Sequence, residues 1–267
     1  MDRIEQKFNF LKQKQEKALV GFVTAGDPDL KRSLEIVNRM IDSGIDILEL
    51  GVPFSDPSAD GPVIQKASKR ALENGVTLED VLEMSGRIRE NSQIPIIIFT
   101  YYNPVLAMGV QKFCKKALEN GADGVLIVDL SFEESNEFLQ FKEAENLSLI
   151  RLIAPVTPYK RMKMITESAS GFIYLISKTG ITGSVGFDAD KTSRIAKNLR
   201  SATNLPICTG FGISTPDHVK EAARFSDGIV IGSAFVAIIE ENLENQRLPE
   251  LIKEAALNFK EATRTVK

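Results

Sequence analysis

Histidine is almost absent from this chain: of 267 residues, His218 is the only one. A metal site built on several histidines is thereby excluded, and proton transfer falls to carboxylates, hydroxyls, lysines or backbone groups. Cysteine is nearly as scarce. Cys114 and Cys208 lie in different predicted elements without metal-like spacing, so no disulfide framework is expected and a reducing cytoplasm fits. No apolar run approaches the roughly 20 residues of a membrane helix. The opening stretch MDRIEQKFNFLKQKQEK is charged throughout and lacks the apolar centre of a signal peptide. No block of one charge sign occurs, and the net charge is −3, so nucleic acid is not an expected partner. Missing too is a G-x-G-x-x-G turn after the first apolar run, which reads FVTAGDPD and argues against a dinucleotide fold.

What remains is ordinary in bulk, with 43% hydrophobic and 26% charged residues, enough to bury a sizeable core. Short apolar runs at 18–25, 46–51, 95–102, 123–130, 147–155, 171–177, 206–212 and 227–234 alternate with amphipathic stretches such as 29–44, 131–146 and 193–204. The runs are apolar at consecutive positions and rich in β-branched residues, as strands buried on both faces are. A motif recurs in SGIDILEL, NGADGVLIV and FSDGIVIG, where a helix ends in a small residue and an aspartate leads into a strand. Eight strands in this rhythm predict a single (β/α)8 TIM barrel spanning residues 1–267 as one domain. Extra helices are expected at 2–13, at 77–91 after the second strand, and at the C-terminus over 248–264.

Chemistry on such a barrel sits where strands end. The second strand ends in Ile47-Leu48-Glu49-Leu50-Gly51. If Leu48 and Leu50 face the helices, period-two geometry turns Glu49 into the barrel mouth. A buried ion pair is one reading of Glu49; a general acid–base group with a raised pKa is the one favoured here. The next loop, 52–62, carries Asp56 and Asp60 among three prolines, and for both aspartates a turn or helix cap competes with function. Late Gly-rich segments at 177–187, 209–215 and 231–236 follow strands six to eight, where barrels bind phosphate on backbone N–H groups and a helix N-terminus. Gly183, Gly212, Gly232 and Ser233 are the assigned positions, Ser214 with Pro216 reads as a helix start, and 177–187 as a lid.

The segment ELGVPFSDPSADGPVIQ (49–65), with FVTAGDPD, YYNP, SKTGITG, GFGIS and GSAFV, resembles the tryptophan synthase alpha family over almost the whole chain. The resemblance implies retro-aldol cleavage of indole-3-glycerol phosphate to indole and glyceraldehyde 3-phosphate. It makes Glu49 the acid–base group and Asp60 the partner of the indole N–H. Tyr174 would stand beside the reacting side chain, Phe22 and Thr182 would line the indole pocket, and the glycines and Ser233 would hold phosphate. It implies no cofactor in this chain and a pyridoxal-phosphate beta subunit as partner in an alpha2beta2 complex, with the Asp56 loop meeting it. Departures from the family pattern are Val128 and Ser131 for prolines, Lys178 for arginine, and Ser58 for a larger apolar residue. Rival readings are a sugar-phosphate epimerase or isomerase, a non-catalytic regulatory subunit, and a stand-alone lyase that releases indole.

Overall fold

A computed structural model describes residues 2–144, 146–177 and 187–264 of the chain. Its elements follow in the order α1 (Arg3–Gln13), β1 (Ala18–Thr24), α2 (Leu30–Asp42), β2 (Ile47–Gly51), α3 (Pro62–Glu73), α4 (Leu78–Asn91) and β3 (Ile96–Thr100). Next come α5 (Tyr102–Met108), α6 (Val110–Glu119), β4 (Gly124–Ile127), α7 (Asn136–Ala144), β5 (Ser148–Ile153), α8 (Tyr159–Glu167) and β6 (Ile173–Ile176). The chain ends with α9 (Ala189–Arg200), β7 (Ile207–Gly210), α10 (Pro216–Ala223), β8 (Gly228–Ile231), α11 (Ser233–Glu241) and α12 (Leu248–Arg264). Each strand pairs in parallel with the next, and β8 returns to β1, closing the barrel. This is the (β/α)8 fold read from the strand rhythm. Among the described residues, no helix is long and apolar enough to cross a membrane.

Alternation along the strands divides two apolar layers. Ala18, Val20, Ile47, Ile97, Leu126, Ile150, Cys208 and Val230 fill the interior, while Leu19, Leu48, Leu50, Ile96, Ile98, Val125 and Leu149 pack outward against helices. Ile4, Phe8 and Leu11 of α1 join the interior cluster and close the end where the strands begin. Their spacing puts them on one helical face, so α1 is a plug rather than an ornament. With that end stopped by apolar side chains, access is left to the opposite mouth.

The recurrent aspartate has a structural job. Asp46, Asp123 and Asp227 each stand before an even-numbered strand and accept the backbone N–H of Leu19, Ile96 or Ile207 in the preceding strand, each at 2.8 Å. Each is matched by a cation: Lys260 on Asp46, Arg89 and Arg3 on Asp123, and Arg200 on Asp227. Ser170 does the same before β6, accepting Leu149 N at 2.8 Å. These caps satisfy strand-end donors that would otherwise be buried without a partner.

Several element boundaries differ from the sequence reading. The 95–102 run stops as a strand at Thr100, and α5 begins at Tyr102; the 123–130 run stops at Ile127 and turns. The helix read over 131–146 begins only at Asn136, because Ser131 Oγ bonds Glu134 and its backbone N–H, which favours a turn. The helix read over 193–204 runs over Ala189–Arg200 instead, capped by Asp188. At α10 the cap is Thr215, with Pro216 at the first helical position, rather than Ser214.

Candidate active site

Glu49 lies in the middle of an unbroken buried run, 45–53, beside Phe22 of β1 and Ile97 of β3. It is 1% exposed, and its Oε1 has no hydrogen-bond partner. Because Leu48 and Leu50 pack outward, the carboxyl turns into the barrel mouth. Among the described residues nothing charged compensates its burial, and desolvation pushes its pKa up to about 8. Among the described residues no cation pairs with Glu49, so the ion-pair alternative has no partner there. At neutral pH this carboxyl holds its proton.

Asp60 arrives from the loop between β2 and α3. Its backbone N–H bonds Pro57 O at 3.0 Å, and its carbonyl accepts Gln65 Nε2 at 2.8 Å. The N-cap of α3 is Gly61, which makes no side-chain cap bond, so Asp60 is not a cap. Its carboxylate instead accepts the Tyr101 hydroxyl at 3.0 Å. Burial raises Asp60 to about 6, with the Tyr101 bond pulling the other way. The two carboxyls thus differ by environment: Glu49, desolvated with Oε1 unpaired, keeps its proton to higher pH, and the hydrogen-bonded Asp60 ionises first. Asp56 is exposed on the same loop, with the Ser55 hydroxyl donating to it.

The cavity at the mouth has about 460 Å³ of space between its lining atoms, part of it open to solvent. It gathers Phe22, Glu49, Asp60, Tyr174, Gly212, Gly232 and Ser233 in one place. Of the 177–187 stretch read as a lid, residues 178–186, with Lys178, Thr182 and Gly183, lie outside the described residues. Phe99 stacks edge-on to Phe22, with ring centroids 5.1 Å apart, and Phe211 stands edge-on to Tyr174 at 5.9 Å. These rings give the space flat apolar walls of the kind that take an aromatic ring. Tyr174 lies across Gly210, where an added Cβ would collide with its hydroxyl. Sequence reasoning missed Phe99, Phe211, Ile64, Ile213 and Val230, which reads as simple strand or helix hydrophobicity.

At the far side, Phe211 and Gly212 have φ of 72° and 73°. Two successive left-handed residues turn neighbouring N–H groups to the same side, and for phenylalanine that conformation is strained. Ser177 holds the turn, its hydroxyl donating to Phe211 O and its N–H to Gly210 O. Across the gap, α11 starts at Ser233 behind Gly232, which offers no side-chain cap; both residues line the cavity, so the uncapped start of the helix lies beside it. A turn and a helix start of this kind accept an anion without any cationic side chain.

Comparison with known proteins agrees with this geometry. The family model described as tryptophan synthase alpha chain matches residues 8–264. The tryptophan synthase alpha chain of Desulfatibacillum aliphaticivorans is 54% identical over 264 residues, covering 99% of this chain and 100% of that one. A crystal structure of tryptophan synthase subunit alpha from Legionella pneumophila str. Paris superposes with a TM-score of 0.92 at 32% identity, over 100% of both chains. A chain of the aminoacrylate-bound form of tryptophan synthase from M. tuberculosis gives a TM-score of 0.87 at 29% identity, over 97% of this chain and 100% of that one. A closed barrel, a proton-holding glutamate at its mouth, an aspartate across from it and a full-length match in sequence lead to one assignment: this chain belongs to the tryptophan synthase alpha chain family.

Proposed function

We propose that the chain, acting as one domain over 1–267, cleaves indole-3-glycerol phosphate to indole and glyceraldehyde 3-phosphate with Glu49 as acid–base group and Asp60 as charge stabiliser. The observation that carries the reading is Glu49: buried, with Oε1 unpaired and its pKa pushed up to about 8. In the first step the Glu49 carboxyl donates its proton to indole C3, and the ring nitrogen takes on iminium character. The ionised Asp60 accepts the indole N–H and stabilises that positive charge. In the second step the Glu49 carboxylate removes the proton of the adjacent side-chain hydroxyl. The C3–C bond breaks, its electron pair restores the indole, and the hydroxyl carbon leaves as an aldehyde. Glu49 ends protonated, as it began, so one group serves both transfers.

The apolar walls of Phe22, Phe99 and Phe211 suit the indole ring, to which Thr182 would add, Tyr174 stands beside the reacting carbons, and the phosphate falls to Gly183, Gly212, Gly232 and Ser233. We propose a pyridoxal-phosphate beta subunit as partner in an alpha2beta2 complex docked at the mouth, where the exposed Asp56 loop stands, and no cofactor in this chain. A cytoplasmic location accords with that role. The test is indole release by the purified chain, alone and with a beta subunit, beside Glu49→Gln. Activity that the partner raises and the substitution lowers by roughly 10²–10⁴-fold supports the reading. Near-normal turnover of Glu49→Gln sinks the acid–base role, and ligand binding without turnover in the wild type favours a regulatory subunit.

A further inference from the structure

Arg151 is a charge inside the apolar run of β5, 5% exposed, on the outward face shared by Leu149 and Ile153. Among the described residues its guanidinium makes one hydrogen bond, Nη1 to Leu130 O at 3.1 Å, while Nε and Nη2 have no partner. Glu133, the carboxylate that acts on it, is bound through both oxygens to Arg161, at 2.6 and 2.9 Å. A buried cation with unpaired donors costs stability, and an apolar side chain of similar length would fill the space without that cost. Stability does not account for Arg151. Position does.

Leu130 closes the tight turn that follows β4, and the turn carries no proline to stiffen it. Two other bonds hold the turn: Val128 N donates to Thr100 O at 2.9 Å, and Asp129 Oδ1 accepts Tyr102 N at 2.7 Å. Those two contacts flank a single residue, Tyr101. The Tyr101 hydroxyl donates to Asp60 at 3.0 Å and accepts Ala59 N at 3.0 Å, while its ring stacks on Phe54 with centroids 5.0 Å apart. We infer that Arg151 is a positioning residue for Asp60: by tethering the turn after β4 it fixes the backbone on both sides of Tyr101, which holds the Asp60 carboxylate in the cavity. The inference deepens the proposed function and rests on it for its catalytic meaning.

Among the described residues, the groups that bear on Asp60 are Tyr101 between β3 and α5, with Glu49 of β2 and Tyr174 of β6 in the same cavity. Asp129 acts on Tyr101, and Glu133 with Arg161 flanks Arg151. The experiment compares wild type, Arg151→Met, Arg151→Lys, Tyr101→Phe and the Arg151→Met/Tyr101→Phe double variant. It reads the carbon-13 titration of the Asp60 carboxyl in the free protein, assigned with Asp60→Asn, together with the acid limb of kcat/KM and the melting temperature. Tyr101→Phe removes a bond to the ionised carboxylate, so the Asp60 midpoint rises from about 6 by about half a pH unit or more. Arg151→Met is expected to move it in the same direction, the double variant to add nothing further, and Arg151→Lys, which keeps a donor for Leu130 O, to stay with wild type. Substrate phosphate titrates near pH 6 as well, but that contribution is the same in every variant.

The melting temperature of Arg151→Met is expected to be no lower than that of wild type. An Asp60 titration unmoved by Arg151→Met overturns the inference, whatever happens to the melting temperature. An Arg151→Met chain that fails to fold overturns its premise that the guanidinium is not there for stability. If the wild type releases no indole while Arg151→Met still moves the Asp60 titration, the functional reading has failed and the positioning has not.

Discussion

Replacing Glu49 by glutamine is expected to make the folded protein more stable while it destroys turnover, and the gain depends on pH in a way the structure dictates. In the fold Glu49 has a pKa of about 8 against the ordinary glutamate value of 4.5. Between those values the unfolded chain has released the proton and the folded chain retains it. Stability of the wild type therefore falls as pH rises through that window, by at most about 1.4 kcal/mol per pH unit. Below the window both states are protonated, and above it both are ionised, so the slope vanishes at either end. Glutamine has the same shape and no titration. The advantage of Glu49→Gln over wild type is thus small near pH 4.5 and grows by roughly 2–3 kcal/mol between about pH 5.5 and about pH 7.5. For a chain of this size that is a divergence of melting temperature of roughly 5–10 °C. Paired thermal melts of both proteins across the pH range measure it, and subtraction removes all other titrations. Parallel curves would refute the reasoning, since they would mean that Glu49 is ionised in the fold or exposed to water.

Three further outcomes follow from the same geometry. Asp60→Asn keeps the bulk and loses the charge, so single-turnover indole formation is expected to fall by roughly 10²–10³-fold, with circular dichroism unchanged. Gly210→Ala puts a methyl group where the Tyr174 hydroxyl lies; the displaced ring is expected to cost on the order of tenfold to a hundredfold in kcat/KM. The same alanine should bring no loss of fold, because Gly210 is not among the residues with positive φ. Asp123→Asn keeps an acceptor for Ile96 N but removes the charge shared by Arg89 and Arg3; a loss of roughly 1–3 kcal/mol in urea unfolding is expected, with activity intact.

The barrel was legible because parallel strands buried on both faces appear as unbroken apolar runs, and the aspartate repeat marked where three of them begin. Strand ends were less so. Tyr101 and Val128 look like continuations of their runs, yet their apolar character serves the turn and the site rather than the sheet. Glu49 was legible because a lone carboxylate in an apolar run has few reasons to be there. Arg151 carries the same signal in the 147–155 run, and period-two alternation puts it on the helix side, away from the cavity. Its meaning lay in a carbonyl 21 residues away, which no local pattern encodes. Phe99 and Phe211 escaped notice for the opposite reason: an aromatic residue in a barrel strand or its following loop reads as core. The positive φ at Phe211 has no signature in the residue type, since glycine is what that conformation leads one to expect.

The central claim is that a neutral Glu49 and an ionised Asp60 act together in one cavity. The pH dependence of kcat/KM for indole formation from indole-3-glycerol phosphate tests it most directly, because it reads both protonation states at once. A bell is expected, with an acid limb near the Asp60 value of about 6 and a basic limb near the Glu49 value of about 8. A rate that keeps rising as Glu49 ionises would contradict it, for the reaction would then begin with a carboxylate where this structure holds a carboxylic acid.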